Sequence, residues 1–185
     1  IAPTGAGKTM AGFLPSLIDL ARPDRPRGVG VHTIYVSPLK ALATDVRRNL
    51  LIPVEEMGLP ISIESRTGDT PQARRARQRL TPPDMLLTTP EQIMLLIGAP
   101  DAPTFFRGLQ RIVIDEIHAL APGKRGDMLA LCLAAIRGWR PEVRLAGLSA
   151  TVADEPALLR WLAPQCVQLV RGPAGAAADI GVLLS

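Results

Sequence analysis

Short runs of apolar residues alternate with longer stretches of helical character along the whole chain. The apolar runs predict strands over residues 31–37, 62–66, 85–88, 110–115, 144–149 and 166–170. The stretches between them predict helices near residues 8–21, 41–57, 71–80, 90–97, 124–138 and 155–163. Strands that alternate with helices favour a mostly parallel sheet, and nearly all-apolar strands are typical of a sheet buried on both faces. The pattern therefore predicts an α/β fold with helices on both faces of the sheet.

Two of the predicted helices begin with a recognisable start signal. Thr89-Pro90-Glu91-Gln92 offers an N-cap threonine, a proline at the first helical position and a glutamine at capping-box spacing. Thr70-Pro71 repeats the threonine and the proline. In the helix that follows, arginines crowd a short stretch without an acidic residue, at positions 74, 75, 77 and 79. We favour a solvated arginine face over a phosphate site for this helix.

Composition predicts one globular domain with an aliphatic core. The 185 residues are 47% hydrophobic and 21% charged, but only 3% aromatic. The longest apolar run, 128–136, is well short of the roughly 18 residues that a membrane span needs. With no visible signal peptide, the expectation is a cytoplasmic enzyme that has no membrane partner. The net charge of +4 is compatible with a polyanionic partner but too small to establish one.

The first residues carry a phosphate-binding pattern. Positions 2–9 read APTGAGKT, which departs from the strict G-x-x-x-x-G-K-[ST] loop only at Ala2. Glycines let the backbone turn so that successive N–H groups point into one concavity, and a helix start suits a polyphosphate. The predicted nucleotide-binding residues are Pro3, Thr4, Gly5, Ala6, Gly7, Lys8 and Thr9. A glycine-rich turn with a chance Gly-Lys-Thr is the competing interpretation.

An apolar strand leads into a pair of carboxylates. Residues 111–114 run directly into Asp115 and Glu116, and a carboxylate at the end of a buried strand is costly unless a cation or hydrogen bonds compensate. Asp115 and the Thr9 hydroxyl are therefore the predicted Mg²⁺ ligands. Glu116 is the predicted catalytic residue that orients or deprotonates the attacking water, with Lys8 and Asp115 assisting. The predicted cofactors are ATP and Mg²⁺.

The motifs occur in an order that resembles superfamily-2 helicases of the DExH-box class. The phosphate loop is followed by Asp115-Glu116-Ile117-His118 and then by Ser149-Ala150-Thr151. Surrounding stretches are most similar to the Lhr group and to its ligase-associated, DNA-repair branch: residues 37–42, 66–70, 82–84, 88–91 and 118–120. The resemblance implies that residues 1–185 form the first RecA-like domain. The leading strand of the domain and a second RecA-like domain would lie outside a chain that looks truncated at both ends.

The resemblance also implies residue roles beyond the nucleotide site. A nucleic-acid backbone would contact Pro38, Leu39 and Lys40, together with Thr88, Thr89, Pro90 and Glu91. Arg66 and Thr67 follow another predicted strand and are expected on the same face. Coupling between the nucleotide and the nucleic acid would involve His118, Ser149 and Thr151. In open parallel sheets ligands gather beyond the carboxyl ends of the strands, where all these segments fall.

The resemblance implies an ATP-dependent DNA helicase or translocase motor that moves 3′ to 5′ on single-stranded DNA. Its partners would be the second RecA-like domain of the same chain and repair proteins such as a DNA ligase or nuclease. An RNA helicase remains an alternative, because nothing in the sequence reads the sugar 2′-hydroxyl. A nucleic-acid-binding or assembly domain without turnover is a second alternative. A small-molecule P-loop kinase is disfavoured, since it does not explain why residues 38–42 and 88–91 lie where a groove for a nucleic-acid strand would run.

Overall fold

The structure is a computed structural model that describes residues 1, 7–26, 28–150, 152–162 and 167–172, and only the backbone of residues 40–45. Within these residues the chain forms one sheet of five parallel strands in the order β2-β3-β1-β4-β5. The strands are β1 (Thr33–Val36), β2 (Ile63–Arg66), β3 (Met85–Thr88), β4 (Arg111–Ile114) and β5 (Arg144–Gly147). Each confirms a strand that the apolar runs predict, and the parallel sheet confirms the predicted fold class.

The sixth predicted strand, over residues 166–170, is wrong where the structure describes it. Residues 167–170 form no strand. Their neighbourhood is tied to the start of the chain instead, because the Ile1 amino group donates to the Val170 carbonyl at 2.6 Å and the Gly172 N–H donates to the Ile1 carbonyl at 2.8 Å. The described residues 167–172 therefore lie beside residue 1 and outside the five-stranded sheet.

Helices cover both faces of the sheet, as predicted. They are α1 (Lys8–Ala21), α2 (Lys40–Glu56), α3 (Gln72–Leu80), α4 (Pro90–Ile97), α5 (Ala102–Phe105), α6 (Ile117–Leu120), α7 (Lys124–Trp139) and α8 (Glu155–Leu162). The sequence does not predict α5 and α6, because a helix of one turn is too short to show a period. No described helix combines the length and the apolar composition that crossing a membrane requires.

Alternate residues of each central strand enter different cores. In β1, Ile34 and Val36 pack into the core beneath α4, α5 and α7, whereas Tyr35 packs into the core beneath α1 and α2. The same alternation divides β3 and β4. Because successive side chains of a strand point to opposite faces, a strand buried on both faces must be apolar throughout. The continuous apolar runs in the sequence have this cause.

The carboxyl ends of the strands form one edge. The last residue of β1, Val36, is in register with Thr88 of β3 and with Ile114 of β4. Arg66 of β2 is in register with Thr88, and Gly147 of β5 with Ile114. The segments that follow all five strands therefore leave the sheet side by side.

Both predicted start signals hold only in part. Thr89 is the N-cap of α4 and Pro90 its first residue, but the Thr89 side chain makes no capping hydrogen bond. Gln92 is buried, and its side-chain oxygen has no partner within the described part of the chain. The helix after Thr70 has Pro71 as its N-cap. Thr70 instead accepts the Thr67 N–H at 2.9 Å, which closes the loop between β2 and α3.

Gly126 brings the first turn of α7 against the end of α6. A Cβ atom added at this buried glycine would lie 2.2 Å from the Ala121 carbonyl oxygen and 2.5 Å from that of Leu120. Real Cβ atoms do not approach backbone oxygens so closely, so the two helices would have to separate. Gly138, near the other end of α7, has open space around the same position.

These two glycines make a matched pair. We expect Gly126→Ala to lower the free energy of unfolding by about 2 kcal/mol or more, because the extra atom overpacks a closed contact. Gly138→Ala should raise that free energy by about 0.5–1 kcal/mol, because alanine restricts the unfolded chain and favours a helix. Urea unfolding followed by circular dichroism measures both changes. Equal effects of the two substitutions would contradict the close contact.

Candidate functional site

The start of α1 has the geometry of an anion site. Gly7 precedes the helix with φ of 70°, a left-handed conformation that glycine adopts without strain. Lys8 and Thr9 occupy the first turn of the helix, where backbone N–H groups lack intrahelical acceptors and the helix dipole is positive. The predicted residues Pro3, Thr4, Gly5 and Ala6 lie outside the described residues.

Helix α1 lies across the centre of the sheet. Gly12 packs so closely on Val113 and Leu148 that a Cβ there would be 3.2 Å and 3.1 Å from their side chains. Lys8 lines one open cleft of about 810 Å³ together with Ser149. The phosphate-loop helix is thereby placed over β4 and β5, whose ends carry the other predicted residues of the nucleotide site.

Asp115 is held by two donors at the end of β4. It is 5% exposed. One carboxylate oxygen accepts the Glu116 N–H at 2.9 Å, and the other accepts the hydroxyl proton of Tyr35. Tyr35 is fully buried on the neighbouring strand β1. Burial raises the pKa of Tyr35, and its hydrogen bond to Asp115 raises that pKa further, so the phenol remains a donor.

Sequence reasoning missed Tyr35. It is the only tyrosine of the chain and stands inside an otherwise apolar strand. That position was the available signal, because a buried tyrosine hydroxyl usually has a hydrogen-bond partner. The partner could not be identified without the pairing of β1 and β4.

Glu116 has a strained backbone. Its φ of 45° lies in the left-handed region, and it is the only non-glycine residue of the described chain with a positive φ. Such a conformation costs about 1–3 kcal/mol and persists where the surroundings require it. Here it turns the chain from β4 into α6 and sets the direction of the Glu116 side chain.

Three predicted residues of the site meet beyond β4 and β5. The Ser149 hydroxyl and His118 Nδ1 are 2.8 Å apart and share a hydrogen bond. His118 Nδ1 is also 3.4 Å from Glu116 Oε2. The predicted coupling residues His118 and Ser149 are therefore linked to the predicted catalytic glutamate. Thr151 lies outside the described residues.

The donor set suits magnesium. Among the described residues, no three histidine, cysteine or acidic side chains converge where they could hold a metal ion. Mg²⁺ does not need such a cage, since it keeps several waters and is bound through one or two carboxylates plus substrate phosphates. The oriented carboxylate of Asp115 and the hydroxyl of Thr9 have this chemistry.

The segments after β1 and β3 also lie side by side. The Ser37 N–H donates to the Thr88 carbonyl at 2.9 Å. Thr88, Thr89 and Pro90 are buried, whereas Leu39 and Glu91 are exposed. Pro38 is half-buried, and Lys40 begins α2. This edge therefore presents the backbone of residues 38–39 and the start of α4, together with few exposed side chains.

The loop after β2, residues 67–70, is shaped by hydrogen bonds from two arginine side chains. Arg66 is 5% exposed, and its guanidinium donates to the Arg75 carbonyl at 3.0 Å. Arg75 in turn donates to the carbonyl oxygens of Thr67, at 3.2 Å, and Gly68. Both arginines are thus occupied in shaping residues 67–70. The exposed surface of this loop comes from Thr67 and its neighbours rather than from Arg66.

The arginine side chains of α3 are partly exposed, as expected, at 40%, 56% and 38% for Arg74, Arg77 and Arg79, but they are also paired with acids. Arg74 and Arg77 pair with Glu64 of β2, at 3.3 Å and 2.7 Å. Arg79 pairs with Asp101 at 2.5 Å. Their acidic partners lie in other elements, which is why the helix sequence shows no compensating charge.

Comparison with known proteins places the chain among helicases. The family model described as DEAD/DEAH box helicase matches residues 1–159. The Lhr helicase/probable uracil glycosylase of Mycolicibacterium smegmatis is 41% identical over 195 residues, which cover 98% of this chain and 13% of that protein. The ATP-dependent helicase Lhr-Core of Methanothermobacter thermautotrophicus is 38% identical over 172 residues, covering 87% of this chain and 20% of that protein.

Solved structures agree. The Mycobacterium smegmatis helicase Lhr bound to ssDNA and AMP-PNP superposes with a TM-score of 0.84 at 40% identity, over 95% of this chain and 23% of that one. The helicase Mss116p has a TM-score of 0.77 at 22% identity, over 87% of this chain and 33% of that one, and is a likeness of fold alone. The chain thus spans about an eighth to a fifth of the curated relatives' length. The predicted RecA-like fold and the resemblance to Lhr-type helicases are confirmed, and the chain belongs to the DEAD/DEAH box helicase family.

Proposed function

We propose that the chain is the ATP-binding motor domain of an ATP-dependent DNA helicase that tracks single-stranded DNA. One observation carries the proposal. The start of α1 and residues 115–118 lie at the same edge of the sheet as the segments predicted to contact a nucleic-acid strand. At this edge, Ser149, His118 and Glu116 connect the end of β5 to the end of β4. A site for nucleotide binding alone would not need this chain of contacts.

Each residue of the nucleotide site has a task in the proposed reaction. Lys8 and the first N–H groups of α1 bind the phosphates and offset their charge. Asp115 and Thr9 would hold Mg²⁺, which would supply positive charge that offsets the charge of the phosphates. Glu116 orients the water that attacks the γ-phosphate in line and accepts its proton. Its strained backbone turn supports this role, because strain of this kind clusters at functional sites.

DNA is the favoured nucleic acid. The similar Lhr helicase was solved with ssDNA, and the helicase MrfA, 28% identical with a TM-score of 0.78 over 92% of this chain and 24% of that one, was solved with DNA and AMPPNP. The likeness to Mss116p, which was solved with ssRNA, concerns the fold alone. Competition between DNA and RNA strands for stimulating ATP hydrolysis by the full-length protein separates the DNA helicase from an RNA helicase.

The wider assignment extends the same proposal. A second RecA-like domain of the same protein would close over the nucleotide. The protein would act in the cytoplasm. Membership of the ligase-associated repair branch would make a DNA ligase or nuclease the partner. The sequence stretches that support that branch are residues 37–42, 66–70, 82–84, 88–91 and 118–120.

The decisive variant is Lys8→Ala in the full-length protein. Removing a charge that acts on the developing phosphate charge should lower DNA-stimulated ATP hydrolysis about a hundredfold or more. Unwinding of a tailed duplex should be lost with it, as measured by release of a labelled strand. Lys124→Ala, which removes the same charge from the start of α7, serves as the control. Normal function in repair without turnover would favour the assembly-domain alternative.

The isolated chain should bind nucleotide but hydrolyse it slowly. In phosphoryl transfer an arginine finger contributes about 10³–10⁵ to turnover, and the family resemblance assigns that arginine to the second domain. Binding of a fluorescent ATP analogue and single-turnover hydrolysis measure the two properties. Turnover by the chain alone that matches the full-length protein would contradict the need for a second domain.

Tyr35→Phe tests the support of Asp115. The change removes one of the two donors to the carboxylate and keeps the ring, so we expect the Mg²⁺ concentration for half-maximal ATP hydrolysis to rise about tenfold. Phe13→Leu is the matched control, because Phe13 packs against the Tyr35 ring with centroids 5.1 Å apart and touches the same core. A Mg²⁺ dependence that is equal in both variants would show that the hydrogen bond to Asp115 is not used.

A further inference from the structure

Arg125 joins three segments that leave neighbouring strands. Its Nε donates to Glu91 Oε1 at 2.6 Å, and its Nη2 donates to the Pro38 carbonyl at 3.0 Å. Pro38 follows β1, Glu91 lies in the first turn of α4 after β3, and Arg125 itself lies in the first turn of α7 beyond β4. The order β3-β1-β4 makes these segments adjacent. One guanidinium therefore connects the ends of three strands.

Through its neighbour Gly126, Arg125 is packed against the helix that follows Glu116. Gly126, the next residue, lies against the carbonyl oxygens of Leu120 and Ala121 so closely that no Cβ fits. These residues end the short helix that begins directly after Glu116. Packing therefore connects α6, which follows Glu116, to Arg125, and hydrogen bonds connect Arg125 to Pro38 and Glu91.

The contact is specific although it is exposed. The side chains of Arg125 and Glu91 are 46% and 49% exposed, and ion pairs of this exposure add little to stability. The planar fork of a guanidinium nevertheless fixes direction, since two of its donors are used on two different acceptors. Burial raises the pKa of Glu91, but hydrogen bonds from Arg125, from its own N–H and from Thr89 outweigh that effect and hold the pKa below its usual value. The pair is therefore charged at neutral pH.

We propose that Arg125 is a positioning residue that transmits nucleic-acid binding at residues 38 and 88–91 to the hydrolytic segment around Glu116. The inference rests on the proposed function, because it requires hydrolysis that responds to a bound strand. A strand that engages the start of α4 would change the position of Glu91, and Arg125 would carry that change through the first turn of α7 to α6. Without a bound nucleic-acid strand, the same contact would keep the two segments in their present arrangement.

A direct contact between Arg125 and a phosphate would be a different role with a different signature. Each phosphate contact on a single strand contributes about 0.7 to the slope of log affinity against log salt concentration. A residue that acts through Glu91 and Pro38 leaves this slope unchanged. The salt dependence of binding therefore separates positioning from direct contact.

The experiment uses the full-length protein with single-stranded oligo(dT) as the probe. We expect Arg125→Ala to lower the ratio of DNA-stimulated to unstimulated ATP hydrolysis about fivefold or more, as the loss of a coupling contact would. Glu91→Gln should reproduce the loss, and the double variant should be no worse than the more affected single variant, because both changes break one contact. Lys124→Ala, at the preceding position, should keep the ratio within about twofold, since rim charges of this kind add little.

Three results would overturn the proposal. They are a stimulation ratio that Arg125→Ala leaves within about twofold, a salt slope that falls by about 0.7, and fully additive effects of the Arg125 and Glu91 changes. Arg125→Lys should recover only part of the ratio, because an ammonium cannot present the fork that reaches both acceptors. If DNA does not stimulate ATP hydrolysis by the full-length protein without substitutions, the proposed function itself is refuted. Unfolding midpoints within about 3 °C of each other show that the variants are folded.

Discussion

The in-register parallel sheet is the constraint on which the site depends. Each strand ends at the same level as its neighbour, so that Val36, Ile114 and Thr88 mark one line across the molecule. Parallel strands require a crossover between every pair, and each crossover here is a helix or contains one. Every carboxyl end therefore opens into a segment that must turn back over the sheet. Residues 67, 89, 116 and 148, which are distant in sequence, therefore lie along the same edge of the sheet.

Burial on both faces of the sheet explains how one carboxylate at that edge can be controlled. The interior of the sheet is apolar, and Asp115 follows three buried apolar residues of β4, Ile112, Val113 and Ile114. Its two oxygens are satisfied by a backbone N–H and by Tyr35, as burial of a charge demands. A carboxylate that is already oriented loses less entropy when it receives a hydrated cation. The left-handed turn at Glu116 follows directly and directs the next side chain elsewhere.

The sequence predicts the elements of this fold better than it predicts their contacts. Apolar runs located the five strands, and the phosphate-loop pattern and Asp115-Glu116 identified the DEAD/DEAH box family, because both signals are local. The run at 166–170 was misread because its apolar pattern does not say whether a neighbour is present along its length. The Tyr35–Asp115 contact joins residues 80 positions apart, and Arg125–Glu91 joins residues 34 apart. Such pairs depend on strand order, which no local pattern contains. The acidic partners of the α3 arginines could not be identified for the same reason, since they lie on β2 and before α5.

In segments that follow the strands, arginine side chains donate hydrogen bonds to backbone carbonyl groups that have left the sheet. Arg75 donates to the carbonyl oxygens of Thr67 and Gly68, and Arg125 donates to that of Pro38. A carbonyl that leaves a sheet needs a donor, and a guanidinium on a long stem can reach it from another element. These contacts differ from a ladder in one respect: several are exposed and can be exchanged at small cost. The sheet itself is closed on both faces and cannot shift without opening its cores. Under the proposed function, a movement that connects residues 38 and 88–91 to Glu116 could use these exposed contacts, and Arg125 stands where they meet the helix that follows Glu116.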